Sequence, residues 1–131
     1  MASIFSRIIQ GEIPCYKVAE DEAHIAFLDI QPVAMGHTLV VPKQEIDYLF
    51  DLDPSAYESL WDFARRVAIG LKIAVPCKRI GVSVIGLEVP HTHIHLVPLQ
   101  TMQDINFSKE KLAPAPPALE EIRRKIALQL Q

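Results

Sequence analysis

The chain has 131 residues, is half apolar and 22% charged, and carries a formal charge of −3. This composition is typical of one globular domain, here predicted over 1–131, and argues against a disordered chain. The slightly acidic balance gives no electrostatic reason to expect a nucleic-acid partner. No apolar run is long enough to cross a membrane, and two cysteines, Cys15 and Cys77, favour a reduced cytoplasmic protein.

The N-terminal part of the chain predicts one short helix and three strands. Ser3 precedes apolar residues at helical spacing, and Gly11 follows them, which indicates a capped amphipathic helix. An acidic turn joins the first two strands in a hairpin, and a loop with a proline and a glycine precedes the third. The predicted elements are a helix over 4–9 and strands over 16–19, 25–28 and 37–42.

The C-terminal part predicts a long helix, two more strands and a helical tail. Asp53 and Pro54 supply an N-cap and a first helical residue, and Pro76 ends the apolar stripe that follows. The predicted elements are a helix over 54–75, strands over 81–85 and 91–97 with a tight connection at 86–88, a proline-rich loop over 101–117 and a helical tail over 118–131. Consecutive antiparallel strands covered by helices predict an α+β fold.

Three of the five histidines lie close together, at His91, His93 and His95. Because side chains alternate along an extended strand, the three imidazoles are predicted to share one face. Burying three unpaired imidazoles is costly, and exposing them on an apolar strand gains nothing, so a functional site is favoured over a structural role.

Two chemistries are open to this row of imidazoles. A metal site could use alternate histidines of one strand, although such sites usually take ligands from more than one element. Alternatively, one neutral imidazole attacks an electrophile while its neighbours orient it and donate a proton to the leaving group. A phosphoryl group is a suitable electrophile for the second chemistry.

The pattern of three alternate histidines followed by two apolar residues, His91 to Val97, resembles the signature of the histidine triad (HIT) family of nucleotidyl hydrolases and transferases. The resemblance extends over most of the chain before the proline-rich loop. The segments that follow the family's order and spacing are 3–9, 11–14, 20–32 and 36–43.

The resemblance implies a HIT-like fold with a five-stranded antiparallel sheet, and usually a homodimer. It implies a hydrolase without a cofactor that cleaves a nucleotide at its α-phosphate through a nucleotidyl intermediate on His93. His95 would contact the phosphate and the leaving group, and His91 and His37 would support the imidazole network. Asp29 would bind the ribose hydroxyls. The expected apolar walls of the base pocket are Phe5, Ile8, Phe27 and Ile30.

Two stretches depart from the family pattern. Leu87 and Glu88 stand where relatives often carry polar residues that bind phosphate, and a carboxylate there would repel phosphate. A nucleotide-binding module with weak catalysis is therefore the alternative to an enzyme. Ser3 and Ser6 replace the cysteine pair, and Glu45 the histidine, that bind a structural zinc in some relatives, so we expect no such zinc. The region after residue 100 matches no branch of the family closely, which leaves the leaving group open.

Overall fold

A computed structural model describes residues 2–131 of the chain. The helices are α1 (Ile4–Ile9), α2 (Pro54–Ala74) and α3 (Pro116–Leu128), and two short 3-10 helices lie at Leu49–Asp51 and Met102–Ile105. The strands are β1 (Lys17–Glu20), β2 (His24–Leu28), β3 (Thr38–Pro42), β4 (Arg79–Ser83) and β5 (Ile94–Leu99).

The five strands form one sheet in the order β1-β2-β3-β5-β4, and every neighbouring pair is antiparallel. β1, β2 and β3 follow one another as in a meander, whereas β5 lies between β3 and β4. The predicted α+β class with a five-stranded antiparallel sheet and three helices is therefore confirmed.

The histidine row is not one continuous strand, so that part of the prediction is wrong. β5 begins at Ile94, and the connection from β4 covers residues 84–93 instead of a tight turn at 86–88. Pro90 has no N–H for a strand ladder, and Thr92 donates its N–H to the Ile46 carbonyl at 2.8 Å. The chain before Ile94 thus bonds to a loop and not to a neighbouring strand.

Alternation along β2 and β3 divides the interior into two clusters, one on each face of the sheet. Ala26, Leu28 and Val40 face α2 and α3 and belong to the larger cluster. Ile25 and Phe27 face the other way, towards α1. The helical residues of the larger cluster are Leu60, Phe63, Ala64, Val67, Leu71, Leu119 and Ile126. Both faces of the central strands are buried, and the smaller cluster forms the floor of the site described below.

The two long helices begin and end close to the residues that the sequence indicates. The Asp53 side chain accepts a hydrogen bond from the Ala56 N–H at 2.8 Å, and α2 ends at Ala74, just before Pro76. The tail helix begins at Pro116, earlier than the predicted 118, because proline is favoured in the first helical turn. No helix in the described part of the chain is both long and apolar enough to cross a bilayer.

Gly36 lies where the backbone conformation and the packing both exclude a larger residue. Its φ is +93°, and an added Cβ would lie 3.1 Å from Pro98 Cγ and 3.2 Å from Val75 Cγ2. Gly86 has a similar φ of +74° but has no neighbouring atom within 4 Å of an added Cβ. Substituting each glycine therefore measures two contributions to the free energy of unfolding. Gly86 reports the cost of the left-handed conformation alone, and Gly36 reports that cost together with the cost of crowding.

We expect Gly36→Ala to lower the free energy of unfolding by about 2–4 kcal/mol, because it adds crowding to an unfavourable φ. Gly86→Ala is the matched control and should cost about 1–2 kcal/mol, for the conformation alone. Urea denaturation of the two variants measures the difference, and equal losses would show that crowding at Gly36 is relieved without cost.

Candidate active site

A cavity of about 510 Å³ opens on the face of the sheet that α1 covers. This volume lies within the range of small-molecule sites, which are mostly apolar and hold a few convergent polar groups. The polar and charged side chains that line it are His37, His93, His95, Asp29, Gln31, Glu88 and Lys111. The walls are otherwise apolar, so the cavity matches a ligand with one flat apolar part and one polar part.

The register of the sheet brings one row of side chains into this cavity. Leu39 of β3 pairs directly with Phe27 of β2 on one side and with His95 of β5 on the other. Directly opposed residues share a face, so His95 lies on the same side as the apolar floor. Ser83 pairs with His95 from β4, but its side chain is not part of the cavity lining.

The protonation of His93 is set by a backbone carbonyl. His93 Nδ1 lies 2.7 Å from the carbonyl oxygen of His91, and because a carbonyl can only accept, Nδ1 carries the proton. Nε2 then has a free lone pair, and no residue from 2 to 131 hydrogen-bonds to it. The Phe5 ring meets the imidazole edge to face, with 5.0 Å between ring centroids, and holds its orientation.

A second backbone group sets the protonation of the other two imidazoles in the cavity. The Val33 N–H donates to His37 Nδ1 at 3.2 Å, so His37 in its neutral form carries its proton on Nε2. That nitrogen lies 2.9 Å from His95 Nδ1 and donates to it. His95 therefore carries its own proton on Nε2, the nitrogen left free towards the cavity. His93 and His95 thus present opposite functions, a lone pair and a donor.

Burial keeps the imidazoles of His37 and His95 neutral near physiological pH. Burial, with a smaller effect of neighbouring positive groups, lowers the pKa of His37 to about 3 and the pKa of His95 to about 4. Asp29 Oδ2 lies 3.8 Å from His37 Nε2, but a neutral His37 makes no ion pair with it. Burial also raises the pKa of the Asp29 carboxyl group above its usual value.

His91 differs from its two neighbours because it faces the protein interior, against the prediction of three imidazoles in one row. It is 0% exposed and does not line the cavity. Its Nε2 donates to the Pro42 carbonyl at 2.7 Å, and its Nδ1 accepts from the Ser3 hydroxyl at 2.7 Å. Both ring nitrogens are engaged, so His91 acts on the cavity through its backbone carbonyl, which orients His93, and through its contacts with Ser3 and Phe5 at the start of α1.

Ser3, Ser6 and Glu45 form a hydrogen-bond network with His91. Glu45 Oε1 accepts from the Ser3 backbone N–H at 2.7 Å and from the Ser6 hydroxyl at 2.6 Å. The Ser6 N–H donates to the Ser3 hydroxyl at 3.0 Å, which caps α1. The network ties the start of α1, a cavity wall, to the first histidine of the row.

This geometry argues against the hypothesis that His91, His93 and His95 bind a metal ion. A three-histidine site would need a free nitrogen on His91, and both are occupied. Within residues 2–131, no group of three or more histidine, cysteine, aspartate or glutamate side chains is arranged to hold a metal ion.

The residues predicted for ligand binding all line the cavity. Phe5 and Phe27 are buried and meet edge to face, with their ring centroids 5.6 Å apart. Ile8 is half-buried beside them, whereas Ile30 is 60% exposed at the rim. Asp29 Oδ1 accepts a hydrogen bond from the Gln31 N–H at 2.9 Å. Its other oxygen, Oδ2, lies 3.8 Å from His37 Nε2.

Two residues of the predicted proline-rich loop also reach the cavity, and the sequence reasoning did not identify them. The Phe107 ring meets His95 edge to face at a centroid distance of 4.7 Å and His37 at 5.8 Å. Lys111 lines the same wall. Phe107 is the one aromatic residue in the segment 101–117, which was the available signal. Leu87 and Glu88 line the cavity too, and the Leu87 side chain is 89% exposed.

The chain is similar to known proteins in both sequence and structure. A sequence model of the HIT domain matches residues 10–102. An uncharacterized HIT-like protein from Borreliella burgdorferi is 37% identical over 102 residues, which cover 72% of this chain and 73% of that protein. An adenosine 5'-monophosphoramidase from Saccharomyces cerevisiae is 37% identical over 98 residues, which cover 74% of this chain and 62% of that protein.

Solved structures of histidine triad proteins superpose on nearly the whole chain. A HIT-like protein from Bartonella henselae, described as involved in cell-cycle regulation and crystallised with an unknown ligand, superposes with a TM-score of 0.84 at 32% identity. The superposition covers 98% of this chain and 96% of that one. A hypothetical histidine triad nucleotide-binding protein from Sulfolobus tokodaii superposes with a TM-score of 0.82 at 27% identity, covering 96% and 90% of the two chains.

We expect the free energy of unfolding to fall as the pH drops from 6.5 towards about 5, above the range of ordinary carboxyl groups. In this range His37 and His95 take up protons in the unfolded state, whereas their lowered pKa values keep them neutral in the folded state. The loss is about 1.4 kcal/mol per pH unit for each such proton. Denaturant titrations across this range measure it.

The variant His37→Gln keeps a donor and an acceptor but removes one of these imidazoles, so its unfolding free energy should depend less steeply on pH. A slope equal to that of the unsubstituted protein would show that His37 is protonated in the folded state.

Proposed function

The chain belongs to the HIT family, and from that premise we propose that it is a nucleotide hydrolase that cleaves the bond between the α-phosphate and a leaving group. The observation that carries the proposal is the pair of opposite tautomers at His93 and His95, side by side in one cavity with 4.9 Å between ring centroids. A lone pair beside a hydrogen-bond donor is what an in-line displacement at phosphorus requires.

In the first step, the free Nε2 of His93 attacks the α-phosphorus. A bond forms between nitrogen and phosphorus, and the bond to the leaving group breaks with its electron pair going to that group. A phosphate leaving group keeps its negative charge, whereas an amide leaving group takes a proton from solvent and departs as ammonia. The His93 ring becomes positively charged, and its Nδ1–H strengthens its bond to the His91 carbonyl. His95 Nε2–H donates to an oxygen of the phosphoryl group.

In the second step, water attacks the nucleotidyl-histidine. The new bond joins the water oxygen to phosphorus, the bond to nitrogen breaks, and its electron pair returns to His93 Nε2. The products are a nucleoside monophosphate, a proton released to solvent and the original enzyme. No cofactor takes part in either step of the proposed reaction.

The rest of the cavity supports a nucleotide as the ligand. Phe5, Ile8 and Phe27, with Ile30 at the rim, form an apolar slot for a flat base. Asp29 supplies a carboxylate that can accept from two ribose hydroxyls. The Saccharomyces cerevisiae relative is named an adenosine 5'-monophosphoramidase, which makes adenosine phosphoramidate the first substrate to assay.

We expect His93→Ala to abolish turnover of adenosine 5'-phosphoramidate, with a loss of at least about a thousandfold in kcat, because no other free lone pair is in place. AMP binding, measured by calorimetry, should persist and serves as the control for folding. Rapid quenching with labelled substrate should trap labelled protein in the unsubstituted chain and none in the variant. Equal turnover by both proteins would rule out this mechanism.

The same assay separates the enzyme from the alternative function. A nucleotide-binding module with weak catalysis would bind AMP but would give neither turnover nor labelled protein. Leu87 and Glu88 favour that alternative, because they supply no hydrogen-bond donor to the phosphate from their side chains. A burst of labelled protein in the unsubstituted chain would exclude the alternative.

We also propose that the chain is a cytoplasmic homodimer, in which β4 pairs with its counterpart. β4 lies at an edge of the sheet, where one row of its backbone groups has no neighbouring strand within residues 2–131. Val82 is 50% exposed on this strand. Cys15 and Cys77 are free thiols, as a reducing compartment favours.

We expect Val82→Glu to convert the dimer to a monomer, since two new charges would oppose each other across the two-fold axis. Sedimentation equilibrium measures the mass. Leu128→Glu, on the 55% exposed side chain at the end of α3, is the matched control and should leave the mass unchanged. A monomeric unsubstituted chain would contradict the assembly.

A further inference from the structure

We propose that a surface at the start of α2 binds an arginine-rich segment of a partner protein. This aromatic-acidic surface consists of four aromatic residues and the carboxylate that neighbours each of them in the sequence. None of the four aromatic residues lines the histidine cavity, so the proposal does not depend on the proposed hydrolase function. The aromatic residues are Tyr48, Phe50, Tyr57 and Trp61.

The four aromatic rings follow one another in a single row of contacts from the loop before α2 onto the helix. The ring centroids are 5.5 Å apart for Tyr48 and Phe50, 6.3 Å for Phe50 and Tyr57, and 6.2 Å for Tyr57 and Trp61. Tyr48 and Phe50 are more than half exposed, whereas Tyr57 and Trp61 are half-buried against the core. A contiguous group of exposed rings is typical of an interaction site.

Negative charge is concentrated beside these rings. The segment 44–64 contains six of the sixteen acidic residues of the chain and none of its thirteen lysines and arginines. Because the chain as a whole carries a charge of only −3, this segment is far more acidic than the rest and attracts cations. Each ring has an exposed carboxylate as a neighbour in the sequence, namely Asp47 with Tyr48, Asp51 with Phe50, Glu58 with Tyr57 and Asp62 with Trp61.

The chain itself supplies no cation to these four carboxylates. Among residues 2–131, the ion pairs with lysine or arginine use carboxylates of the β1–β2 hairpin and of α3. Glu58 and Asp62 are four residues apart on α2, a spacing at which like charges repel each other. A cation from a ligand would relieve this repulsion.

Arginine is the side chain that fits both parts of the aromatic-acidic surface. Its guanidinium stacks on aromatic rings and donates paired hydrogen bonds to carboxylates, whereas the lysine ammonium is a compact and strongly hydrated charge. The chain contains one such contact of its own, since the Arg66 guanidinium lies 5.3 Å from the centre of the Phe63 ring and 3.5 Å from the Asp21 carboxylate. The same carboxylates repel the phosphates of nucleic acids and of anionic membranes.

A second copy of the chain matches this surface less well than a segment of another protein. The basic residues of α3 are Arg123, Arg124 and Lys125. Arg123 is paired with Glu120 at 2.7 Å and Lys125 with Glu121 at 3.4 Å. Two of the three cations are therefore already engaged by carboxylates of their own helix.

Hydrogen bonds hold the surface in place without a ligand. The Ile46 carbonyl accepts from the Thr92 N–H at 2.8 Å and from its hydroxyl at 2.7 Å. Asp53 caps α2, and Ser59 Oγ lies 3.2 Å from His24 Nε2. The N-terminal half of α2 therefore lies over β2, and β3 and β5 separate it from β4, the edge strand of the proposed homodimer. A preformed surface loses little conformational entropy when it binds a ligand.

Trp61 provides a local readout for the test, because it is the one tryptophan of the chain. The probe is a capped peptide with three arginines separated by pairs of glycines. We expect this peptide to change the tryptophan emission in a saturable way, and its lysine counterpart to bind about threefold more weakly. The double variant Phe50→Ala with Glu58→Gln should raise Kd for the arginine peptide roughly tenfold, about threefold for each lost contact.

The matched control is Met102→Ala with Glu110→Gln, which removes an exposed apolar side chain and an exposed carboxylate elsewhere and should leave Kd unchanged. Urea denaturation checks that both double variants are folded. Equal weakening in the two double variants would reveal non-specific charge attraction and overturn the proposal, as would an emission that the arginine peptide does not change. A lower mass of Phe50→Ala with Glu58→Gln in sedimentation equilibrium would assign the surface to a second copy of the chain instead.

Discussion

Four buried imidazoles lie on or beside one face of the sheet, and the backbone groups next to them fix where each carries its proton. The carbonyl of His91 can only accept, which places the proton of His93 on Nδ1. The N–H of Val33 can only donate, which places the proton of His37 on Nε2. Because that Nε2–H donates to His95 Nδ1, the proton of His95 also lies on Nε2. Because two rigid backbone groups impose opposite tautomers on neighbouring rings, one presents a lone pair and the other a donor without any charged group between them.

This arrangement depends on the first histidine, which never reaches the cavity. His91 bonds to Ser3 at the cap of α1 and to the end of β3, so its carbonyl is held in place from two sides. Glu45 completes the network by accepting from Ser3 and Ser6. The start of α1 and the tautomer of the proposed nucleophile are therefore parts of one hydrogen-bonded network.

Different parts of the chain build the walls of the cavity. Strands β2 and β3 and helix α1 supply aromatic and aliphatic walls, since their inward residues must also close the smaller core cluster. The segment between β5 and α3 has no core to fill and contributes Phe107 and Lys111. Sheet and helix residues are constrained by packing, whereas this segment is free to differ in the chemistry that it presents.

The local elements of this fold follow from the sequence, because their signals act over a few residues. The caps at Ser3 and Asp53, the stop at Gly11 and the alternation in β2 and β3 all depend on neighbours in the chain. The predicted strand over 91–97 was wrong before Ile94, because a long-range hydrogen bond decides the conformation there. The N–H of Thr92 bonds to the carbonyl of Ile46 and not to a strand.

The sequence by itself determined the family, the α+β sheet and the group of histidines, since spacing and residue type carry that information. Only the tertiary structure decided that His91 turns inwards, that His93 and His95 have opposite tautomers and that Phe107 and Lys111 close the site. The tautomer of His93 depends on the local backbone conformation that brings its Nδ1 to the His91 carbonyl. The orientation of His91, the tautomer of His95 and the wall at Phe107 depend on contacts between residues far apart in the chain, such as Ser3 with His91. Such contacts produce no regular spacing of residue types in the sequence, because they form only when the chain folds and brings distant residues together.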